Sequence, residues 1–167
     1  MSEPTIDATI AGVRANSYVT AAFAEAYFAD TLEAREWLSF PPEDRARGLI
    51  SATRKIDEEF SYFGVPHDTI TPQALKFPRE DDYDAQGRLE IPDGIAYATC
   101  ELALHLVRQQ RMGDLVDRER LQEEGVRRVS VDGLTEEYRP GVWDSFPRRV
   151  KKLLRPFIDA GGRTVAG

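Results

Sequence analysis

A chain of 167 residues with 41% hydrophobic and 31% charged side chains has the size and balance of one domain with its own core. Its net charge of −7 argues against broad binding to a phosphate backbone, which needs clustered Lys and Arg, and no apolar run approaches the length of a bilayer span. The lone Cys100 cannot form an intrachain disulfide, and the opening MSEPTIDATI lacks the basic and apolar parts of a secretory signal, so an intracellular product is expected.

Residues 1–15 mix Pro, Gly, Ala and Thr without periodicity and are expected as an extended or poorly ordered arm. Thr20 suits the N-cap of a short first helix that sets Phe23, Tyr27 and Phe28 toward one side. A second short turn over Glu33 to Phe40 places Trp37 and Leu38 against the core before Pro41 and Pro42 stop it. Pro42 then opens a longer helix in which Ala46, Leu49, Thr53, Ile56, Phe60 and Phe63 step by three and four. Glu43 and Asp44 favour its start through the helix dipole, and Gly64 is expected to end the run. Asp57, Glu58 and Glu59 beside Arg54 and Lys55 read as a solvated face with local ion pairs.

A Pro-bounded segment, Gln73 to Arg79, leads through an acidic turn into the central helix, expected over about 91–112. Ile91, Ile95, Ala98, Leu102 and Leu106 form its apolar stripe; Pro92 sits at its start and Gly113 just past its end. Leu115 to Glu124 reads as a charged helical extension or connector. Val126, Val129 and Val131 with the turn dipeptide Asp132-Gly133 predict one β-hairpin at about 126–138. Trp143, Phe146, Val150, Leu153, Leu154 and Phe157 belong to a short last helix, with Pro147 in its first turn and a flexible tail over 159–167. The fold expected is mainly α: a small helical bundle around the central helix, forming a single domain over 16–158 with extended terminal arms.

Catalytic material is scarce. His67 and His105 are the only histidines, and no CxxC, HExxH, G-x-S-x-G or P-loop pattern occurs, so neither an enzyme nor a cofactor or metal site is expected. Asp82, Asp84, Gln86, Gly87, Leu89 and Asp93 follow EF-hand spacing, but Gln replaces an acid, Asp replaces the closing Glu and Pro92 intrudes. An acidic turn bent at Gly87 is the simpler reading. Arg148, Arg149, Lys151, Lys152 and Arg155 form the one dense basic cluster, either the polar side of an amphipathic helix or a contact for a partner. Glu101, midway along the central helix, is expected to pair with a guanidinium, with Arg79 as its partner.

The order of ANSYVT, LISATRKID, QALKFPR, GRLEIPDGIAYATCELAL and the segment Val150 to Pro156 resembles bacteriophage head-to-tail connector (adaptor) proteins, specifically the group labelled DnaT-like single-stranded DNA-binding proteins. The resemblance covers roughly Ala15 to Phe157, with QALxxPR followed by IPxxIxxAxxELAL its most specific part. It implies a structural virion protein, self-assembled as a ring of commonly about twelve copies beneath the portal protein. That ring would meet a tail or second connector protein and let DNA pass without sequence-specific binding or any membrane. The implied location is the head–tail junction of the virion, with assembly in the bacterial host cytoplasm. The alternative is the literal label, a single-stranded DNA-binding replication protein, which requires aromatic platforms in a basic groove.

Overall fold

The computed structural model describes residues 2–67, 71–122 and 146–159, with only the backbone path over 114–122. Five helices occur among them: α1 (Ala21–Ala29), α2 (Ala34–Ser39), α3 (Pro42–Glu59), α4 (Asp93–Gln122) and α5 (Arg148–Leu154). The mainly α expectation holds. Among the described residues there are no strands, only three isolated antiparallel bridges: Tyr62 with Ile158, Pro66 with Arg79, and Tyr83 with Leu89. The hairpin expected at about 126–138 and the tail beyond Asp159 lie outside the described residues.

Local chemistry explains most helix starts. Thr20 is extended, and its hydroxyl accepts from Phe23 N at 3.1 Å, capping α1 as the sequence predicts. Pro42 takes the first position of α3, with Glu43 and Asp44 in the first turn. α3 ends at Glu59, before Gly64, because Phe60 turns extended (φ −131°, ψ 149°). Gly64 is used instead in the following loop, at φ +74°, a conformation open to glycine.

α4 departs further from expectation. It starts after Pro92, whose carbonyl accepts from Ile95 N and Ala96 N at 2.9 and 3.0 Å, but it runs through Gly113 to Gln122. One glycine costs a helix about 1 kcal/mol, and the Leu, Arg, Glu and Gln residues that follow sustain it. Gly113 has no positive φ, so it caps nothing.

The N-terminal half of α4 is the core. Ile95, Ala98, Cys100, Leu102 and Ala103 are fully buried, with Ala96, Leu104 and Val107 nearly so, which is more than one stripe. α3 covers one side with Leu49, Ala52, Thr53 and Ile56. The two helices lie close here, because a Cβ on Gly48 would lie 2.6 Å from Val107 Cγ2. α5 covers another side with Val150 and Leu154. A Cβ on Gly94 would meet Phe157 Cε2 at 2.6 Å and the Leu153 carbonyl at 3.1 Å. Phe28 and Trp37 close the α1–α2 corner, their rings 4.9 Å apart. Downstream of α5, Phe63 N donates to the Phe157 carbonyl and Asp159 N to the Ser61 carbonyl, tying the chain back to the loop after α3.

The N-terminal segment is not a free arm. Asn16 N and Ser17 N both donate to the Asp7 carbonyl, Asn16 Oδ1 accepts from Asp7 N at 2.8 Å, and Ala74 N donates to the Gly12 carbonyl. Backbone groups that find such partners order a stretch that shows no hydrophobic period. Among the described residues no helix is long and apolar enough to cross a membrane.

Because α5 rests where residue 94 has no side chain, Gly94→Val is expected to destabilise the fold by about 1–3 kcal/mol through overpacking. Thermal unfolding followed by circular dichroism checks this; an unchanged midpoint would mean α5 does not seat there.

Candidate functional site

α5 is amphipathic, as its sequence pattern predicts. Val150 and Leu154 are fully buried, while Arg148, Arg149, Lys152 and Arg155 are exposed and Lys151 is half-buried. Thus the basic residues form one outward row along a helix that Gly94 holds against α4.

Arg149 leaves that row to reach inward. Its Nε lies 2.7 Å from Glu101 Oε1, and a terminal nitrogen donates to the Tyr27 hydroxyl at 3.3 Å. Tyr27 in turn donates to Glu101 Oε1 at 2.6 Å, so one carboxylate joins α1, α4 and α5. Burial, then the hydrogen bond to Glu101, pushes the Tyr27 hydroxyl up to about 12, so it stays protonated and donates. The hydrogen bond to Tyr27 and the charge of Glu101 raise Arg149 further above its usual range.

Arg79 is the partner expected for Glu101, and the structure does not bring the two together. Arg79 instead donates to the Tyr62 carbonyl at 3.0 Å, and its guanidinium lies 5.3 Å from the Phe77 ring centroid and 5.8 Å from that of Tyr62. Arg79 follows the cis Phe77–Pro78 peptide in a loop pinned to the end of α3, whereas Arg149 sits on the helix packed directly beside Glu101. The α5 contact, absent from any local sequence pattern, decides the pairing.

Next to this network three rings meet. Tyr97 stacks on Tyr27 at 5.0 Å with 28° between planes, and on Phe23 at 6.3 Å with 24°. Phe23 remains 38% exposed and Tyr97 half-buried. Phe23 and Tyr27 at i and i+4 on α1 are legible as neighbours; Tyr97 is not, because it lies off the apolar stripe assigned to α4.

A second polar centre escapes sequence reasoning outright. Asp57, expected on a solvated face, is largely buried. It accepts from the Tyr18 hydroxyl and, at 3.0 Å, from Lys76 N. The Tyr18 hydroxyl also accepts from Phe77 N at 3.3 Å, and Tyr18 N donates to Thr53 Oγ1 at 3.1 Å. Burial raises the pKa of Asp57, opposed by the hydrogen bonds from Tyr18 and Lys76, while burial and the nearby Asp57 charge raise Tyr18 so that it keeps its proton.

The remaining candidates have structural surroundings. Cys100 is fully buried, and burial pushes its thiol up, away from the nucleophilic thiolate. His105 is half-buried, and burial with Lys55 and Arg108 nearby lowers its pKa, favouring the neutral ring. His67 stands edge-on to Tyr83 at 6.1 Å. In the acidic loop, the Asp84 carboxylate accepts from Gln86 N, Arg88 N and Arg88 Nε, and Asp82 Oδ2 accepts from Arg79 N. The Asp84 oxygens close the Tyr83–Leu89 turn around Gly87 at φ +76°, and no cluster of three or more acidic, His or Cys side chains suited to a metal occurs among the described residues.

A protein-family model described as "Putative DnaT-like ssDNA binding protein" matches residues 5–166. Comparisons with curated proteins and with solved structures found no match.

Tyr18→Phe leaves Phe77 N without its acceptor and Asp57 short of a donor, so a loss of about 1–3 kcal/mol is expected in denaturant titration. The pH dependence has a definite sign. A raised folded pKa means the folded chain binds the Asp57 proton more tightly than the unfolded chain. Wild-type stability relative to Asp57→Asn should therefore rise as pH falls from neutral through that raised pKa, be complete below the ordinary 3.8, and be lost again as pH climbs. Paired denaturant curves across this range check it; a flat difference would refute it.

Proposed function

The chain belongs to the DnaT-like ssDNA binding protein family, and within it we propose that this member is a structural subunit, the head-to-tail connector (adaptor) of a bacteriophage virion. Copies assemble as a ring, of about twelve by the resemblance, through heterologous contacts that close by rotation. The ring sits under the portal protein, receives the tail or a second connector protein, and lets DNA pass through without reading its sequence. In this reading the chain is not an enzyme, uses no cofactor, and works at the head–tail junction after assembly in the host cytoplasm.

The observation that carries this reading is apolar surface at both ends of α3. Leu32 is fully exposed and Leu38 and Met112 are mostly so, on the α2 side where Arg111 reaches Ser39. Phe63, 58% exposed, stands with Val65 and Tyr83 beyond the other end. α3, with 18 residues and a length of about 27 Å, runs between these two ends. Two different apolar surfaces on opposite ends suit head-to-tail neighbours better than a lone monomer. A scarcity of groups for acid–base or nucleophilic work fits a structural role.

A second reading, a single-stranded DNA-binding protein of replication, is favoured by the stacked Phe23, Tyr97 and Tyr27 rings beside the basic row of α5.

The connector reading is tested by mixing the chain with portal protein and following mass and electron-microscope images. Closed rings on the portal are expected, and Phe63→Glu, at an exposed position, should abolish them while leaving the thermal midpoint within about 2 °C. A chain that stays monomeric with and without portal protein would overturn it.

A further inference from the structure

We propose that the face built by Phe23 and Tyr97 together with Arg148, Arg149 and Lys152 binds single-stranded nucleic acid, the bases stacking on the rings and the phosphates meeting the cations. The inference rests on the second reading above and assigns it a site.

Charge is the first argument. The chain carries a net −7, yet the eight positions Arg148 to Arg155 hold five cations and no acid. Arg148, Lys152 and Arg155 are exposed along α5, so this local field is opposite in sign to that of the molecule as a whole. Arg149 is preset: Glu101 and the Tyr27 hydroxyl hold its guanidinium while its side chain stays 65% exposed. A guanidinium held in place loses little freedom when it grips a phosphate oxygen.

The rings are the second argument, and they choose among polyanions. Tyr27 joins the two features physically, because its ring stacks on Tyr97 while its hydroxyl touches both Glu101 and Arg149. The exposed part of Phe23 and the half-buried Tyr97, next to cations, match unpaired bases on a phosphate chain. A duplex hides its base faces, and an acidic polypeptide has no bases to stack. The acid nearest Phe23 along α1 is Glu25, and Arg45 holds its carboxylate at 2.6 Å, which offsets its repulsion of a polyanion. Binding that relies on phosphates and cations is expected to be strongly salt-sensitive.

The test is fluorescence anisotropy at low and moderate salt with three probes: a labelled oligothymidylate, a duplex of the same length, and polyglutamate. The oligothymidylate is expected to bind most tightly and to lose affinity steeply with salt. Phe23→Ala, which removes a partly exposed ring, should weaken it by about fivefold or more, with the helical circular-dichroism spectrum retained. Arg148→Glu with Lys152→Glu should weaken it and flatten the slope of log K against log salt by about 0.7 for each phosphate left without its cation. Duplex or polyglutamate binding as tight as the oligothymidylate would overturn the proposal. Oligothymidylate binding that neither variant disturbs would overturn the site and leave the second reading standing. No binding even at low salt would overturn both.

Discussion

A carboxylate removed from water must be met by donors, and in this protein that requirement falls on Asp57. Its two oxygens take the Tyr18 hydroxyl and Lys76 N, from segments far from α3 in sequence. Tyr18 extends the reach, because its hydroxyl also receives Phe77 N and its own backbone N–H meets Thr53 Oγ1. The stretches ANSYVT, LISATRKID and QALKFPR, scattered along the chain, therefore converge on one polar centre inside an apolar surround. Phe77 and Tyr18 meet edge to face 5.9 Å apart, and Tyr62 packs on Phe77 at 4.8 Å, so the centre is walled by rings. Displacing either ANSYVT or QALKFPR would leave a partly buried carboxylate short of a donor.

Around that centre the helices are largely legible, since burial leaves a period in the sequence. Thr20, Pro42 and Pro92 mark three starts, and Leu49, Ile56, Ile95 and Leu102 mark faces that the structure buries. Endings are less legible. Gly64 and Gly113 look like terminators, yet one serves a loop beyond the helix and the other is carried within it, because a glycine permits a stop without requiring one. The N-terminal segment has no period at all; it is ordered by backbone and Asx contacts that composition does not reveal.

The polar sites divide along the same line. The basic row of α5 is visible because amphipathicity is a local property. Glu101 does take an arginine, but the choice between Arg79 and Arg149 depends on how α5 lies across α4, which no stretch of sequence encodes alone. Asp57 is hidden for a related reason. Within Asp57-Glu58-Glu59 all three acids look alike, and only the arrival of Tyr18 and Lys76 sets the first apart from the exposed other two. A charge run is a solvated face only where no other segment packs over it.

The enclosure of Cys100 has a practical side. The chain holds a single thiol, and packing seals it in the central helix with its proton firmly held. Maleimide chemistry will therefore pass it by under native conditions, and a cysteine installed at the bare tip of Leu32 becomes the sole reactive handle. Dyes, spin labels or crosslinkers can then be placed at chosen points without first deleting a native residue from the core.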